Sequence, residues 1–301
     1  MESVHPDFTC LIHEDAEKLD FIHRKTSGSD IYFVRNKTMD PVKTECIFRV
    51  KNWAPQIWDQ GDGSIKDQFV CKSDKEGTEL TINLPPGGAI FVVFIDRADA
   101  GLQKNFDVKD LAEPLTLKGD WTVKFDSKWG APEEIKLPEL ISWTDHASDG
   151  VKYYSGTGTY FKTINVSANW LEPGHFVNID LGNVRELAEI FVNGQSAGVL
   201  WKPPFRTEIT SLLKAGKNEL KIEVVNLWIN RLTGDIKLPD NQKYTKTNIR
   251  SDGATPKVKA EPWHVEPSGL LGPVRLIPSL NVRMADNGIH RSEKANQSDI
   301  K

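Results

Sequence analysis

The chain has 301 residues, 39% hydrophobic and 27% charged, with 38 basic against 42 acidic residues and a formal net charge of −4. That length suffices for two domains that each bury a core, and the composition is that of an ordinary globular protein. A near-balanced charge with no Arg/Lys run argues against a nucleic-acid partner, and no apolar stretch approaches the ~20 residues that a membrane-spanning helix needs.

Residues 1–29 read as polar and irregular, with Pro6-Asp-Phe8 and Leu19-Asp-Phe-Ile-His-Arg-Lys25 as their marked segments. Met1 to Phe8 shows no basic region followed by an apolar core, so no signal peptide is read there. Asp30 to Asn36 and Glu45 to Val50 are strand-like, and Pro55-Gln-Ile-Trp-Asp59 runs into the turn cluster Gly61-Asp-Gly63. Thr78 to Leu84 alternates with period two, Pro85-Pro-Gly-Gly88 is a turn, and Ala89 to Ile95 is a buried strand. Short strands separated by turns predict a small all-β sandwich over residues 1–105.

Ala98 to Leu117 is a polar connector, with the boundary placed near residues 100–113. Gly119-Asp-Trp-Thr-Val-Lys-Phe125 opens a second domain, predicted over 106–281. Its centre alternates cleanly. Val177, Ile179 and Leu181 share one face, and Leu220, Ile222 and Val224 another, which marks strands with one buried side. Val192-Asn193-Gly194 reads as a tight turn, and Ser211 to Ala215 allows one helical turn before Gly216 stops it. Pro239 to Lys259 is a predicted surface loop. Residues 282–301 form a polar tail expected to be disordered.

Two runs of motifs carry resemblances. Gly158-Thr-Tyr-Phe161, Phe191-Val-Asn-Gly194, Gly198-Val-Leu-Trp201, Pro204-Phe-Arg206 and Gly216-Lys-Asn-Glu-Leu220 occur in the order of the sugar-binding jelly roll of family 2 glycoside hydrolases, a galactose-binding-like β-sandwich. Phe21-Ile-His-Arg-Lys25, Asp30-Ile-Tyr-Phe-Val34, Phe48-Arg49 and Pro55-Gln-Ile-Trp-Asp59 are similar to the region that follows the catalytic barrel in glycoside hydrolase family 106, the α-L-rhamnosidase-like enzymes of bacteria that degrade plant polysaccharides. The resemblance covers roughly residues 5–280. It implies an all-β architecture: a small β-sandwich, then a galactose-binding-like jelly roll. The family's catalytic (β/α)8-type barrel lies N-terminal to this region. A barrel takes ~250 residues, and nothing here reads as βα repeats. The expected role is therefore non-catalytic support of a barrel, with a carbohydrate-binding module and a small active glycosidase as the competing readings. The resemblance further implies a carbohydrate partner, a rhamnose-containing plant glycan, together with a catalytic barrel domain or chain. The family that the chain resembles is usually periplasmic or secreted, and the compartment of this chain is left open.

Glycoside hydrolysis needs two carboxylates at a set separation. No pair in the sequence is assignable to that task, Glu133-Glu134 and Glu186 with Glu189 included, and no catalytic residue is assigned. Asn226, Trp228, Asn230, Arg231 and Asp235 combine an aromatic plane with amide and guanidinium donors, the chemistry of a sugar site. The competing reading is a loop pinned by side-chain amides. If Leu227 and Ile229 are buried, Trp228 and Asn230 face the other way. Trp201 is a further stacking candidate on a loop, or a cap on the sandwich edge. His23 and Arg24 are candidates for an active-site rim or domain interface, against a hydrogen-bonded pair bracing the first sandwich. Asp59, Asp62 and Asp67 offer oxygen ligands, but their spacing is not that of a calcium loop, and a turn accounts for them. No cofactor is implied and no metal site is assignable; a structural calcium, as jelly rolls hold, has no nameable ligands here. Cys10, Cys46 and Cys71, an odd number without close spacing, argue against a disulfide framework or a zinc site, leaving buried free thiols as the default.

Overall fold

The computed structural model describes residues 6–61, 63–67, 72–73, 76–96, 106–247 and 263–283. The chain divides into two compact units, residues 1–107 with 281–301, and residues 108–280. Among the described residues both are built from antiparallel sheets, with helices of at most seven residues. The all-β expectation holds.

In the first unit one sheet has four strands in the order Phe8–Cys10, Val42–Phe48, Thr78–Leu84, Lys72–Ser73. A second has five, in the order Leu19–Lys25, Ser29–Asn36, Ala89–Ile95, Ala54–Trp58, Ile65–Asp67. Val42, Thr44, Cys46 and Phe48 alternate inward from one sheet, and Tyr32, Val34, Val92 and Phe94 from the other, into one core. The period-two pattern that made these strands legible is the pattern of that core. Residues 1–29 depart from the irregular reading, since Phe8–Cys10 and Leu19–Lys25 are strands and His13–Ala16 is a helical turn. Leu19–Lys25 pairs along its whole length with Ser29–Asn36. It lies at a sheet edge with mostly exposed side chains, so it carries no alternation to read.

The second unit has a six-stranded sheet ordered Glu134–Leu137, Trp121–Lys124, Thr157–Val166, Gly216–Val225, Leu187–Val192, Gln195–Leu200. Facing it is a sheet in which Arg275–Arg283 lies between Phe106–Asp110 and His175–Asp180, with Arg206–Glu208 beyond. Val177, Ile179 and Leu181 interleave with Ile190, Leu220, Ile222 and Val224 in its core, as the alternation predicted. The polar connector is partly strand: Phe106–Asp110 and Leu115–Thr116 both pair with Arg275–Arg283. That same strand reaches two residues into the predicted tail, and residues 284–301 lie outside the described part. Of the predicted loop 239–259, residues 248–259 are also outside it, and Asp240–Gln242 forms a short 3-10 turn.

An aromatic cluster anchors the second core. Trp143 is buried, and its Nε1–H donates to the Tyr160 hydroxyl at 2.6 Å. The same oxygen accepts the Leu270 backbone N–H at 3.0 Å. Phe125 meets Trp143 edge-on at 5.3 Å between ring centroids. Such tight seating requires glycine beside the indole. A Cβ on Gly158 would fall 2.3 Å from Trp143 Cζ2, and one on Gly269 2.5 Å from its Nε1. Gly269 also has φ of +93°, a conformation that suits glycine.

Candidate functional site

The six-stranded sheet brings several side chains of interest to one end. Val225 closes its strand opposite both Thr157 and Leu187, and Leu200 closes the next strand beyond Leu187–Val192, opposite Ala188. Trp201, one residue past Leu200, therefore comes level with Leu187 and Val225. With strands about 4.8 Å apart, the backbones of Trp201 and Val225 lie roughly 10 Å from each other. Val199, Trp201 and Val225 are all exposed, Trp201 by 55%.

Past Val225 the chain does not continue as a strand. Ile229–Asp235 is an α-helix, because polar groups capture its start. Asn226 Nδ2 donates to the Tyr154 carbonyl and its Oδ1 accepts the Gly156 N–H, both at 2.9 Å. Ser155 Oγ donates to the Leu227 carbonyl and accepts the Arg231 N–H. Asn230 grips the segment before the last strands. Its Nδ2 donates to the Glu266 carbonyl at 2.8 Å, and its Oδ1 accepts the Glu266 N–H at 2.7 Å. Arg231 Nε donates to Asp235 Oδ1 at 2.9 Å, and Asp235 Oδ2 accepts both the N–H and the hydroxyl of Thr245.

The helix is consequently inverted. Asn230, Arg231 and Asp235 are 1%, 3% and 4% exposed, while Leu227 and Trp228 are exposed by more than half and Ile236 by nearly half. Trp228 and Ile236, which flank the helix, are exposed, and Leu232, four residues from each, is partly buried. Trp228 meets Trp129 edge-on at 5.5 Å, and the Arg231 guanidinium lies 4.5 Å from the centre of the Tyr244 ring.

The sugar-site expectation is redistributed by this geometry. The structure gathers Asn226, Trp228, Asn230, Arg231 and Asp235 around one helix, but the condition on which Trp228 and Asn230 would share a face, burial of Leu227, is not met, since Leu227 is exposed. On a helix, positions two apart point about 200° apart, so Asn230 is buried where Trp228 is exposed. Asn230, Arg231 and Asp235 spend their donors and acceptors on the protein. Trp228 and Trp201 present aromatic surface to solvent. The exposure of Leu227 and Ile236 went unread, although Trp228-x3-Leu232-x3-Ile236 is a helical spacing visible in the sequence.

In the first unit His23 is braced. Its ring stacks on Tyr32 at 4.1 Å, Nε2 lies 2.8 Å from Asp30 Oδ1, and Nδ1 lies 3.6 Å from Asp7 Oδ2. Asp7 also pairs with Arg49. Arg24 is exposed on the same strand, one residue along. Asp59 Oδ1 accepts the Gly61 N–H, as a turn requires. Asp62 and the side chain of Asp67 lie outside the described residues, as does Cys71. Among the described residues no group of three or more His, Cys, Asp or Glu is placed to hold a metal, and no helix is long and apolar enough to cross a membrane.

The carboxylates with displaced pKa values run opposite to a general acid. Asp15, Asp20 and Asp240 are held below the usual range by hydrogen bonds from Lys18, from Arg35 and Lys37, and from Lys243. A shallow groove of about 410 Å³ lies on the outer face of the six-stranded sheet beside Asp120, Phe161, Lys162 and Glu219. Lys162 Nζ there donates to the carbonyls of Gly119 and Asp120.

Comparison with known proteins agrees with the resemblance read from the sequence. Residues 1–70 match the family model for α-L-rhamnosidase of glycoside hydrolase family 106. The fold superposes on the structure of a rhamnosidase from Novosphingobium sp. PP1Y with a TM-score of 0.77 and 33% identity, over 91% of this chain and 25% of that one. A protein of Formosa agariphila named "Putative beta-glucuronidase" is 36% identical over 194 residues, 56% of this chain and 16% of that protein. The chain thus spans a quarter or less of the length of these two relatives.

Proposed function

We propose that this chain is the non-catalytic β-sandwich portion of an α-L-rhamnosidase-like glycoside hydrolase, and that the aromatic end of its second unit is the surface on which a catalytic barrel rests. The inverted helix Ile229–Asp235 carries the reading. Full burial of a Leu or Ile side chain is worth about 1.5–3 kcal/mol. A helix that hides Asn, Arg and Asp while Leu227, Trp228 and Ile236 at its two ends stay exposed forgoes that gain unless another body covers them. The match to one quarter of a rhamnosidase agrees with such a body being the remainder of an enzyme of this class. In this role the buried amides and the Arg231–Asp235 pair fix the shape of the platform. A rhamnose-containing plant glycan is then the substrate of the assembled enzyme.

A second reading draws on Trp228 and Trp201. Their exposed rings offer the stacking planes of a carbohydrate-binding module.

The chain's sedimentation behaviour, combined with calorimetric titration of a rhamnose-containing oligosaccharide, separates the readings. The docking role predicts self-association that rises with concentration. Replacing Leu227 and Trp228 with Lys should abolish it and leave the melting temperature within a few degrees. A monomer at high concentration would count against docking. Saturable heat that Trp228→Ala and Trp201→Ala abolish would favour the binding module, and sustained heat of turnover would refute a non-catalytic role.

A further inference from the structure

Cys10 and Cys46 are 36 residues apart in sequence, yet they face each other across neighbouring strands, with their sulfurs at 3.4 Å. The ladder fixes what kind of pair they are. Leu11 N–H donates to the Glu45 carbonyl and Arg49 N–H to the Asp7 carbonyl. The hydrogen-bonded pairs are therefore 7 with 49, 9 with 47 and 11 with 45, and Cys10–Cys46 falls at a position between them. At such positions Cα atoms approach to about 4.5 Å and side chains come closest. That separation lies inside the range a disulfide spans.

We propose that Cys10 and Cys46 are a covalent site, a cross-strand disulfide that closes when the protein meets a disulfide oxidant such as glutathione disulfide. Cys10 is the entry point. It stands on the edge strand of its sheet, three residues long, whereas Cys46 lies on the second strand and is wholly buried. Short edge strands open locally at little cost, exposing the thiol they carry. The Cys10 thiolate attacks the oxidant, forming a mixed disulfide and releasing one glutathione thiolate. Cys46 then attacks the Cys10 sulfur, forming the Cys10–Cys46 bond and releasing the second glutathione. Both protons pass to the departing thiols, and two electrons move from the protein to the oxidant. The contact between the sulfurs suits Cys10 as the first attacking group, since its hydrogen bond with Cys46 lowers the Cys10 pKa. The bond fastens the strand that leads from Asp7, which pairs with His23 and Arg49, to the rest of the first sandwich.

The full chain carrying Cys71→Ser, incubated with glutathione disulfide, should lose both thiols titratable after unfolding and show a peptide in which Cys10 is joined to Cys46. Reduction should lower the melting temperature by about 10 °C or more, as expected for a bond closing a loop of this length, and the shift should vanish when Cys10→Ser is added. Should the Cys71→Ser chain fold poorly, peptide mapping of the oxidised wild-type chain gives the same answer. Two free thiols after oxidation, or glutathione left attached to Cys10 with no cross-link, would overturn the proposal.

Discussion

Replacing one tyrosine hydroxyl in each unit by hydrogen should have opposite outcomes. Tyr160 is fully buried, and its oxygen is the acceptor in two buried hydrogen bonds, from Trp143 Nε1–H at 2.6 Å and Leu270 N–H at 3.0 Å. Tyr160→Phe keeps the ring and its packing but orphans both donors. Each buried unsatisfied donor costs about 1–3 kcal/mol, so the expected destabilisation is about 2–5 kcal/mol. Tyr32 is as deeply buried, but its hydroxyl has no hydrogen-bond partner among the described residues. Tyr32→Phe therefore removes a desolvated group and strands nothing; stability should stay level or rise by up to ~1 kcal/mol. Guanidinium denaturation followed by near-ultraviolet circular dichroism measures both. A loss below about 0.5 kcal/mol in Tyr160→Phe would show that its hydroxyl is not the acceptor that holds Trp143. A loss above about 2 kcal/mol in Tyr32→Phe would show that this hydroxyl has a partner.

Burial raises the pKa of Tyr32, Tyr154 and Tyr160, so these groups stay neutral in the folded protein at a pH where the unfolded chain has begun to lose their protons. Their contribution is fully present below the unfolded value of about 10 and is lost as pH rises above it, at up to about 1.4 kcal/mol per pH unit for each tyrosine. Denaturation midpoints should fall steeply above that pH and less steeply in Tyr160→Phe; a flat profile would refute the burial argument. Arg231→Met leaves Asp235 charged and buried, and should cost about 3–5 kcal/mol in the same denaturation experiment. Gly158→Ala drives a methyl group into the Trp143 ring, with an expected loss of about 1–3 kcal/mol and a shift in tryptophan fluorescence.

What could be read from the chain alone was whatever rests on local period. Val177, Ile179 and Leu181, or Leu220, Ile222 and Val224, alternate because neighbouring residues on a strand point to opposite faces, and that rule holds whatever the partner strand is. The turn at Asn193-Gly194 was legible for a similar reason, since the conformation belongs to the residues themselves. The order of motifs pointed to the family with no geometry at all. Segments shaped by partners outside themselves were not legible. Leu19–Lys25 is a strand because Ser29–Asn36 pairs with it, and its exposed side chains carry no alternation. Asn226 to Asp235 has polar residues where a surface helix has apolar ones. The carbonyls and N–H groups of Tyr154, Gly156 and Glu266, from 36 to 72 positions away, hold the side chains of Asn226 and Asn230. Cys10 and Cys46 looked unrelated because distance along the chain says nothing about ladder register. Hydrophobic period is a property of a segment, while burial of a polar side chain and the meeting of two sulfurs are properties of what the fold sets beside them.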